Sequence, residues 1–511
     1  MTRTPRSRTD GRRLRPLGPR IARSGSIIAL GFALIAAGAG YWQVFAAPGL
    51  LARPDNVAVI AAARSTPRGT IYDRDGNVLA SNKRDANGEP YRVYADRALS
   101  GVVGYASRRF GTAGLERAFE AQLVGILDPD PVRDLLRKFQ SVDAAPQDLT
   151  TSLSLDLQRI AVDLLGSDRG AVVAIDPRNG DVIALASTPT FDANAVADPA
   201  SSQASFATLQ ADPARPLLPR ATQGRYVPGS VFKIVTALAA LGSGAVSADT
   251  TFAQQPQAEI DGLLVEGFRV RDGHHTATGR RALDFFEATE VSCNVWYALA
   301  GLAAGGDKLD EYARRLGFGA PLPFDLATAP SQITGSDPDG AGGGPVGGGF
   351  ADAVELANAA YGQAETIVTP LQMALVAATV ANGGIMMQPR LVTGFSGDGT
   401  GRAVDPITLQ RVVDGGTAAE IRDAMVQAVN GRLGRGFTSG AAVPGVTTAG
   451  KSGTAELGGS GEPNSWFIGF APAEAPTIAI AVIVEQGGRG GERAAPLAGR
   501  LLRAWFAGSG T

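Results

Sequence analysis

Cysteine and histidine are nearly missing: in 511 residues there is one cysteine, Cys293, and two adjacent histidines, His274 and His275. A single cysteine excludes an intrachain disulfide and says nothing of redox compartment. Two histidines side by side in a polar, Gly-containing stretch argue against a metal cage or a histidine-based triad, so acid–base chemistry falls to Lys, Ser or carboxylates. No metal and no cofactor is expected. Charge is also sparse, at 19% of residues, and the net value of −2 conceals an asymmetry. Residues 1–25 hold eight arginines against Asp10, a local +7 that leaves the rest of the chain near −9. An acidic main body argues against a nucleic-acid partner. With 44% hydrophobic residues, the chain is globular and long enough for two or three domains.

Another absence is local: no charged residue lies between Ser24 and Ala52. The apolar stretch Ser26–Ala47 would span about 33 Å as a helix, enough for a bilayer core. Arginines precede it, and Tyr41 and Trp42 sit toward its far end. Residues 1–25 therefore read as a cytoplasmic basic tail, 26–47 as an uncleaved single-pass anchor, and everything after about residue 50 as extracytoplasmic. A cleaved signal peptide is the competing reading, with Ala46-Ala47 as small residues at a cleavage site, but its apolar core would be shorter.

From 48 to 149 the chain is mixed and turn-rich. Arg68 to Ala80 reads as strand, Asp-Gly turn, strand, and Gly114-Leu-Glu116 lies in a helical pattern running toward Leu123. This region reads as a small extended module holding a larger domain off the membrane. From 150 to 511 the pattern tightens: an amphipathic helix at Asp156–Leu165, a hairpin over Gly170–Ala186, then a mostly helical middle from Ser230 to about Gly383. β-rich runs at Gly445–Leu457, Ser465–Phe470 and Thr477–Glu485 and a last helix at Ala494–Phe506 close the chain. Strands at both ends with helices between predict an α+β fold, one antiparallel sheet assembled from the two ends of the domain. Gly340–Gly349 lacks a following Lys or Ser/Thr and reads as a loop.

Gly445-Val-Thr-Thr-Ala-Gly-Lys-Ser452 matches the phosphate-loop pattern letter for letter. A phosphate loop must open a helix. Gly453, three further glycines and Pro463 follow within eleven residues of Ser452, so a β-hairpin fits and a nucleotide site does not. Elsewhere, Pro228-Gly229 precedes an apolar run at helical spacing, which starts a buried helix near Ser230 and puts Ser230 and Lys233 on one face. A lysine among Phe232, Ile234 and Val235 loses solvation and with it proton affinity, as a base beside a serine nucleophile requires. An N-cap serine followed by a snorkelling lysine fits the same residues at least as well.

The order of three triplets decides between these readings: Ser230-x-x-Lys233, then Ser292-Cys-Asn294 in a helical context from Ala288 to Gly301, then Lys451-Ser-Gly-Thr454 in a strand context. That order resembles the serine acyltransferases that interact with penicillin, and in particular the class B penicillin-binding proteins, monofunctional D,D-transpeptidases of cell-wall synthesis. The resemblance covers nearly the whole chain after residue 40. It includes Arg68-Gly-Thr-Ile-Tyr-Asp-Arg-Asp-Gly76, Gly114-Leu-Glu116, Gly362-Gln363 with Thr369-Pro-Leu-Gln372, and Ser465-Trp-Phe-Ile-Gly469. Overall size is similar to the short PbpA-type members.

The resemblance implies a penicillin-binding/serine β-lactamase-like domain over 150–511, with helices on both sides of its sheet, and a pedestal or dimerisation-like module over 48–149. It implies Ser230 as nucleophile, Lys233 as base, Ser292 as proton relay to the departing D-alanine, and Asn294 as a holder of Lys233 and the substrate amide. Backbone N–H groups of Ser230 and Thr454 resemble an oxyanion hole. Lys451, Ser452, Gly453 and Thr454 would bind the terminal carboxylate of a D-Ala-D-Ala stem peptide or of a β-lactam. A D,D-carboxypeptidase, a β-lactamase or a non-catalytic β-lactam sensor on the same scaffold are the alternatives, and no extra carboxylate for deacylation is evident in the sequence. Cys293 has no role in the family chemistry and reads as packed. No glycosyltransferase fits between residues 50 and 150, so a membrane-embedded polymerase of the shape, elongation, division and sporulation (SEDS) type is the expected partner.

Overall fold

The computed structural model describes residues 18–42, 66–126, 145–272, 278, 281–335, 347–397, 400–433, 438–457 and 461–508. His274 and His275, most of the Gly-rich stretch (340–346) and the end of the expected anchor (43–47) lie outside them. The apolar N-terminal helix runs from Gly18 to Tyr41, starting earlier than the expected span and including Arg23. It is long and apolar enough to cross a membrane, and Ile27, Phe32 and Ile35 are each about 70% exposed.

The centre of the molecule is a five-stranded antiparallel sheet in the order Ala449–Ala455, Asn464–Ala471, Ile478–Val484, Gly170–Ile175, Val182–Thr188. The two ends of the domain do meet in one sheet, and its order follows from a three-stranded meander and a hairpin brought side by side. Strand alternation sorts the side chains. Trp466, Ile468, Phe470, Ala479, Ala481 and Ile483 enter one apolar core, which they share with the helices Lys233–Gly242 and Pro370–Ala381. Phe467, Ile480 and Val482 enter a second core with the helices Leu155–Leu165 and Ala494–Gly508. Both faces are thus covered, and every residue of Ile478–Val484 is buried. Burial on both faces explains why these strands read as continuous apolar runs rather than as alternation.

A second, six-stranded sheet has the order Thr400–Ala403, Val392–Gly397, Asp148–Thr151, Ile71–Tyr72, Val78–Arg84, Pro90–Tyr94. Only the pairing of Ile71–Tyr72 with Asp148–Thr151 is parallel. The expected boundary at 149/150 falls inside the strand Asp148–Thr151, which bonds on one side to Ile71–Tyr72 and on the other to Val392–Gly397. Backbone pairing therefore runs without interruption from the module that follows the apolar helix into the larger domain.

Beside this sheet, Arg68 and Glu116, from two motifs far apart in sequence, meet in the interior. Glu116 is fully buried; it accepts from Arg68 Nε at 2.6 Å and from Arg92 Nε at 2.5 Å. Burial alone would raise the carboxyl pKa, but the two guanidinium charges outweigh it and hold Glu116 below its ordinary range. Arg92 also donates to the Gly69 carbonyl at 2.7 Å, and Arg68 to the Glu116 carbonyl at 2.6 Å. Full pairing is what lets three charges be buried at all.

Candidate active site

The apolar helix after Pro228 opens with a 3-10 turn, Gly229–Phe232, and becomes α-helical from Lys233 to Gly242. A 3-10 turn eclipses residues i and i+3, so Ser230 and Lys233 share one edge. Gly229 has φ +56°, and a Cβ there would come within 2.6 Å of the Thr454 carbonyl oxygen. Glycine is required for the turn to lie against the edge strand Ala449–Ala455. Two recurring motifs hold that turn in place: Gly229 N–H donates to the Gly362 carbonyl at 2.9 Å, and Trp466 Nε1–H to the Val227 carbonyl at 3.0 Å.

Ser292 does not lie within a continuous helix. The expected helical stretch from Ala288 to Gly301 is broken into Phe285–Glu290 and Asn294–Ala304, with Ser292 at φ +61° in the break. This left-handed conformation is uncommon for a non-glycine residue. It turns the Ser292 side chain toward two lysines from different elements. Lys233 Nζ donates to Ser292 Oγ at 3.2 Å, to the Ser292 carbonyl at 2.5 Å and to Asn294 Oδ1 at 2.7 Å. From the edge strand, Lys451 Nζ donates to Ser292 Oγ at 2.9 Å and to the Ser452 carbonyl at 3.0 Å.

Both lysines are fully buried. Desolvation lowers Lys233 to about 8, against a smaller opposing pull from the negative charge of Asp272. Lys451 is driven well below its ordinary value, first by burial and then by the positive charge of Lys233. Each ammonium is thus poorly supported, which makes a lysine usable as a base near neutral pH.

Ser230, Ser292, Asn294, Ser452 and Thr454 line one cleft of about 880 Å³. Lys451 lies in the strand Ala449–Ala455, which pairs antiparallel with the next strand, Asn464–Ala471, and this removes the nucleotide-loop reading. Among the described residues Lys233 makes no hydrogen bond to Ser230; the three oxygens of Ser292 and Asn294 take the ammonium donors instead. Ser452 Oγ pairs with Thr438 Oγ1 at 3.0 Å, and Thr454 Oγ1 accepts from Gly490 N–H at 3.1 Å, which leaves the Thr454 hydroxyl proton available to a ligand. Gly453 packs so closely under the Gly229–Phe232 turn that a Cβ would meet the Pro228 carbonyl at 2.9 Å.

Cys293 caps the second helix fragment: its sulfur accepts from Trp296 N–H at 3.2 Å, and its thiol donates to Glu259 Oε1 at 3.2 Å. Burial and then the carboxylates of Asp272 and Glu259 push that thiol well above its ordinary value, so it is packed rather than reactive.

Several participants escaped sequence reading. Asp272 lines the cleft and accepts from Val295 N–H at 3.1 Å, while the Arg271 carbonyl accepts from Asn294 Nδ2 at 3.1 Å. No spacing rule links residues 271–272 to 294–295. Thr438 likewise carries no motif. Glu456 is a further carboxylate at the cleft, on its exposed rim.

With this geometry in hand, comparison with known proteins is direct. Residues 170–503 match the penicillin binding protein transpeptidase domain, and residues 68–147 match the penicillin binding protein A dimerisation domain. The chain is 35% identical to peptidoglycan D,D-transpeptidase PbpA of Mycolicibacterium smegmatis, over 91% of this chain and 94% of that one. It is 30% identical to peptidoglycan D,D-transpeptidase MrdA of Acinetobacter baumannii, over 87% of this chain and 66% of that one. Among solved structures, penicillin-binding protein A from Mycobacterium tuberculosis as an imipenem acyl-enzyme superposes with a TM-score of 0.74 at 30% identity, covering 87% of this chain and all of the other. The buried lysine pair on Ser292, the glycine turn at Ser230 and the matches on both sides of residue 150 agree: the chain belongs to the penicillin-binding protein transpeptidase family.

Proposed function

We propose that the protein is a peptidoglycan D,D-transpeptidase that cross-links stem peptides through an acyl-enzyme on Ser230 and is inhibited by β-lactams. The observation that carries the assignment is the pair of contacts from Lys233 and Lys451 to Ser292 Oγ, within the cleft that Ser230 lines. Neutral Lys233 takes the Ser230 hydroxyl proton as the oxygen attacks the penultimate D-alanine carbonyl. The C–N bond to the terminal D-alanine then breaks, and Ser292, whose proton Lys451 makes easier to give up, protonates the departing amine. An acceptor amine attacks the ester in turn, its proton returns to Ser230 through the same groups, and the cross-link is released.

Asn294 holds Lys233 at 2.7 Å and faces the substrate amide. Lys451, Ser452, Gly453 and Thr454 receive the donor's terminal carboxylate. Backbone N–H groups of Ser230 and Thr454 serve the oxyanion, where one donor is worth roughly 10²–10³ in rate.

The helix Gly18–Tyr41 fits a single-pass membrane anchor. Its preceding arginines support a cytoplasmic N-terminus with the catalytic domain outside. A transpeptidase of this kind acts where new glycan emerges, so the protein works beside a membrane-embedded SEDS-type polymerase. Small residues on the helix, Gly31, Ala36, Gly38 and Gly40, suit close helix packing, and among the described residues nothing comes within 4 Å of a Cβ built at the three glycines. The deciding experiment is reconstitution of the purified chain with nascent glycan carrying D-Ala-D-Ala stems, followed by mass spectrometry of the muropeptides. Cross-linked dimers with release of D-alanine support the proposal; D-alanine release without dimers would make the protein a carboxypeptidase.

A further inference from the structure

Away from the catalytic cleft, a pocket of about 420 Å³ opens in the module after the anchor. Five arginines line it: Arg68, Arg92, Arg108, Arg109 and Arg117. Three are already neutralised. Arg68 and Arg92 share Glu116, with Glu120 also on Arg68 at 3.2 Å, and Arg108 Nη1 donates to Asp85 Oδ2 at 2.8 Å.

Arg109 and Arg117 are exposed and, among the described residues, form no ion pair. Arg109 stacks on the Phe110 ring, its guanidinium carbon 5.9 Å from the ring centroid, within the roughly 6 Å reach of such a contact. Five positive charges against Glu116, Glu120 and Asp85 leave an excess of two. Ser107 also lines the pocket; it is 7% exposed, and among the described residues its hydroxyl has no hydrogen-bond partner. A hydroxyl facing the pocket beside two guanidiniums that form no ion pair makes a set of donors without an acceptor. Its missing component is an anion with several acceptor oxygens.

We propose that this pocket binds a phosphate-bearing ligand, with Arg109 and Arg117 as the guanidinium clamps and Ser107 as a hydroxyl donor. A phosphate group with charge near −2 matches the excess, and guanidinium forks pair with its oxygens bidentately. The ligand can be the headgroup of an anionic lipid or a soluble phosphate.

The test uses the full chain in detergent and two probes, inorganic pyrophosphate and water-soluble dihexanoylphosphatidylglycerol, with dihexanoylphosphatidylcholine as the neutral comparison, each titrated calorimetrically. Binding of pyrophosphate or of the anionic lipid, weakened at least about tenfold in Arg109→Gln/Arg117→Gln, supports the site, and the tighter probe identifies the source. Ser107→Ala, which removes only the hydroxyl, should weaken the same probe to a smaller degree. Penicillin labelling of Ser230 in both variants reports that the fold is intact. No binding of either probe by the parent, or equal binding by the parent and the double variant, overturns the proposal.

Discussion

Lys451 Nζ donates to Ser292 Oγ at 2.9 Å across 159 residues of chain, joining the sheet edge to the break between two helices. Because Lys233 reaches the same oxygen, Ser292 is the one hydroxyl through which both buried ammonium groups communicate. Ser292→Ala should therefore lower the acylation rate by a factor on the order of 10² or more, as for loss of a positioned proton donor. Stopped-flow measurement with a chromogenic β-lactam checks this, and an unchanged rate would remove Ser292 from the proton path.

Ser230→Ala should abolish covalent labelling by penicillin while shifting the melting temperature little, since only a hydroxyl is removed. Intact-protein mass spectrometry reads the acyl adduct. Labelling that persists in the alanine variant would identify a different nucleophile.

The pH dependence follows from Lys233, lowered to about 8 chiefly by burial. Below that value the lysine is protonated and cannot act as a base, so acylation should rise about tenfold per pH unit and level off above it. The midpoint belongs to the coupled pair with Lys451 rather than to one residue. Asp272 favours the charged lysine, so Asp272→Asn should move the acid limb to lower pH. A limb that stays put would show that Asp272 only fastens the Val295 amide.

Glu116→Gln leaves Arg92 buried without a counter-charge and Arg68 with Glu120 alone, and a loss of about 3–5 kcal/mol is expected in denaturant unfolding. The sign with pH is set by the direction of the shift. A carboxyl held below its ordinary range contributes stability that is complete above the unfolded-state value and is lost as pH falls through the folded one. The parent should thus weaken on acidification, while the glutamine variant lacks that part of the dependence.

For the helix Gly18–Tyr41, Gly38→Leu with Gly40→Leu should reduce co-purification with a SEDS-type polymerase without affecting penicillin labelling. Co-purification equal to the parent's, with the variant still membrane-bound, would leave the helix as an anchor alone.

Much of this was legible in the sequence. Apolar periodicity gave the helix after Pro228 and the buried strands, because burial on one or both faces imposes its own spacing on a chain. The charge gap gave the apolar N-terminal helix. Motif order connected Ser230, Lys233, Ser292, Asn294 and Lys451, since catalytic residue types recur in a fixed sequence along the fold. Tertiary structure decided what depends on through-space contact. The left-handed backbone at Ser292 breaks a stretch whose local propensity is helical, and no local pattern announces that break. Lys233 turns to Ser292 and Asn294 rather than to Ser230 because their oxygens converge on its ammonium once distant elements pack. Asp272 and Thr438 entered the site, and Arg68 met Glu116, for the same reason: a partner's position in space is fixed by the packing of whole elements, whereas sequence records only its position along the chain.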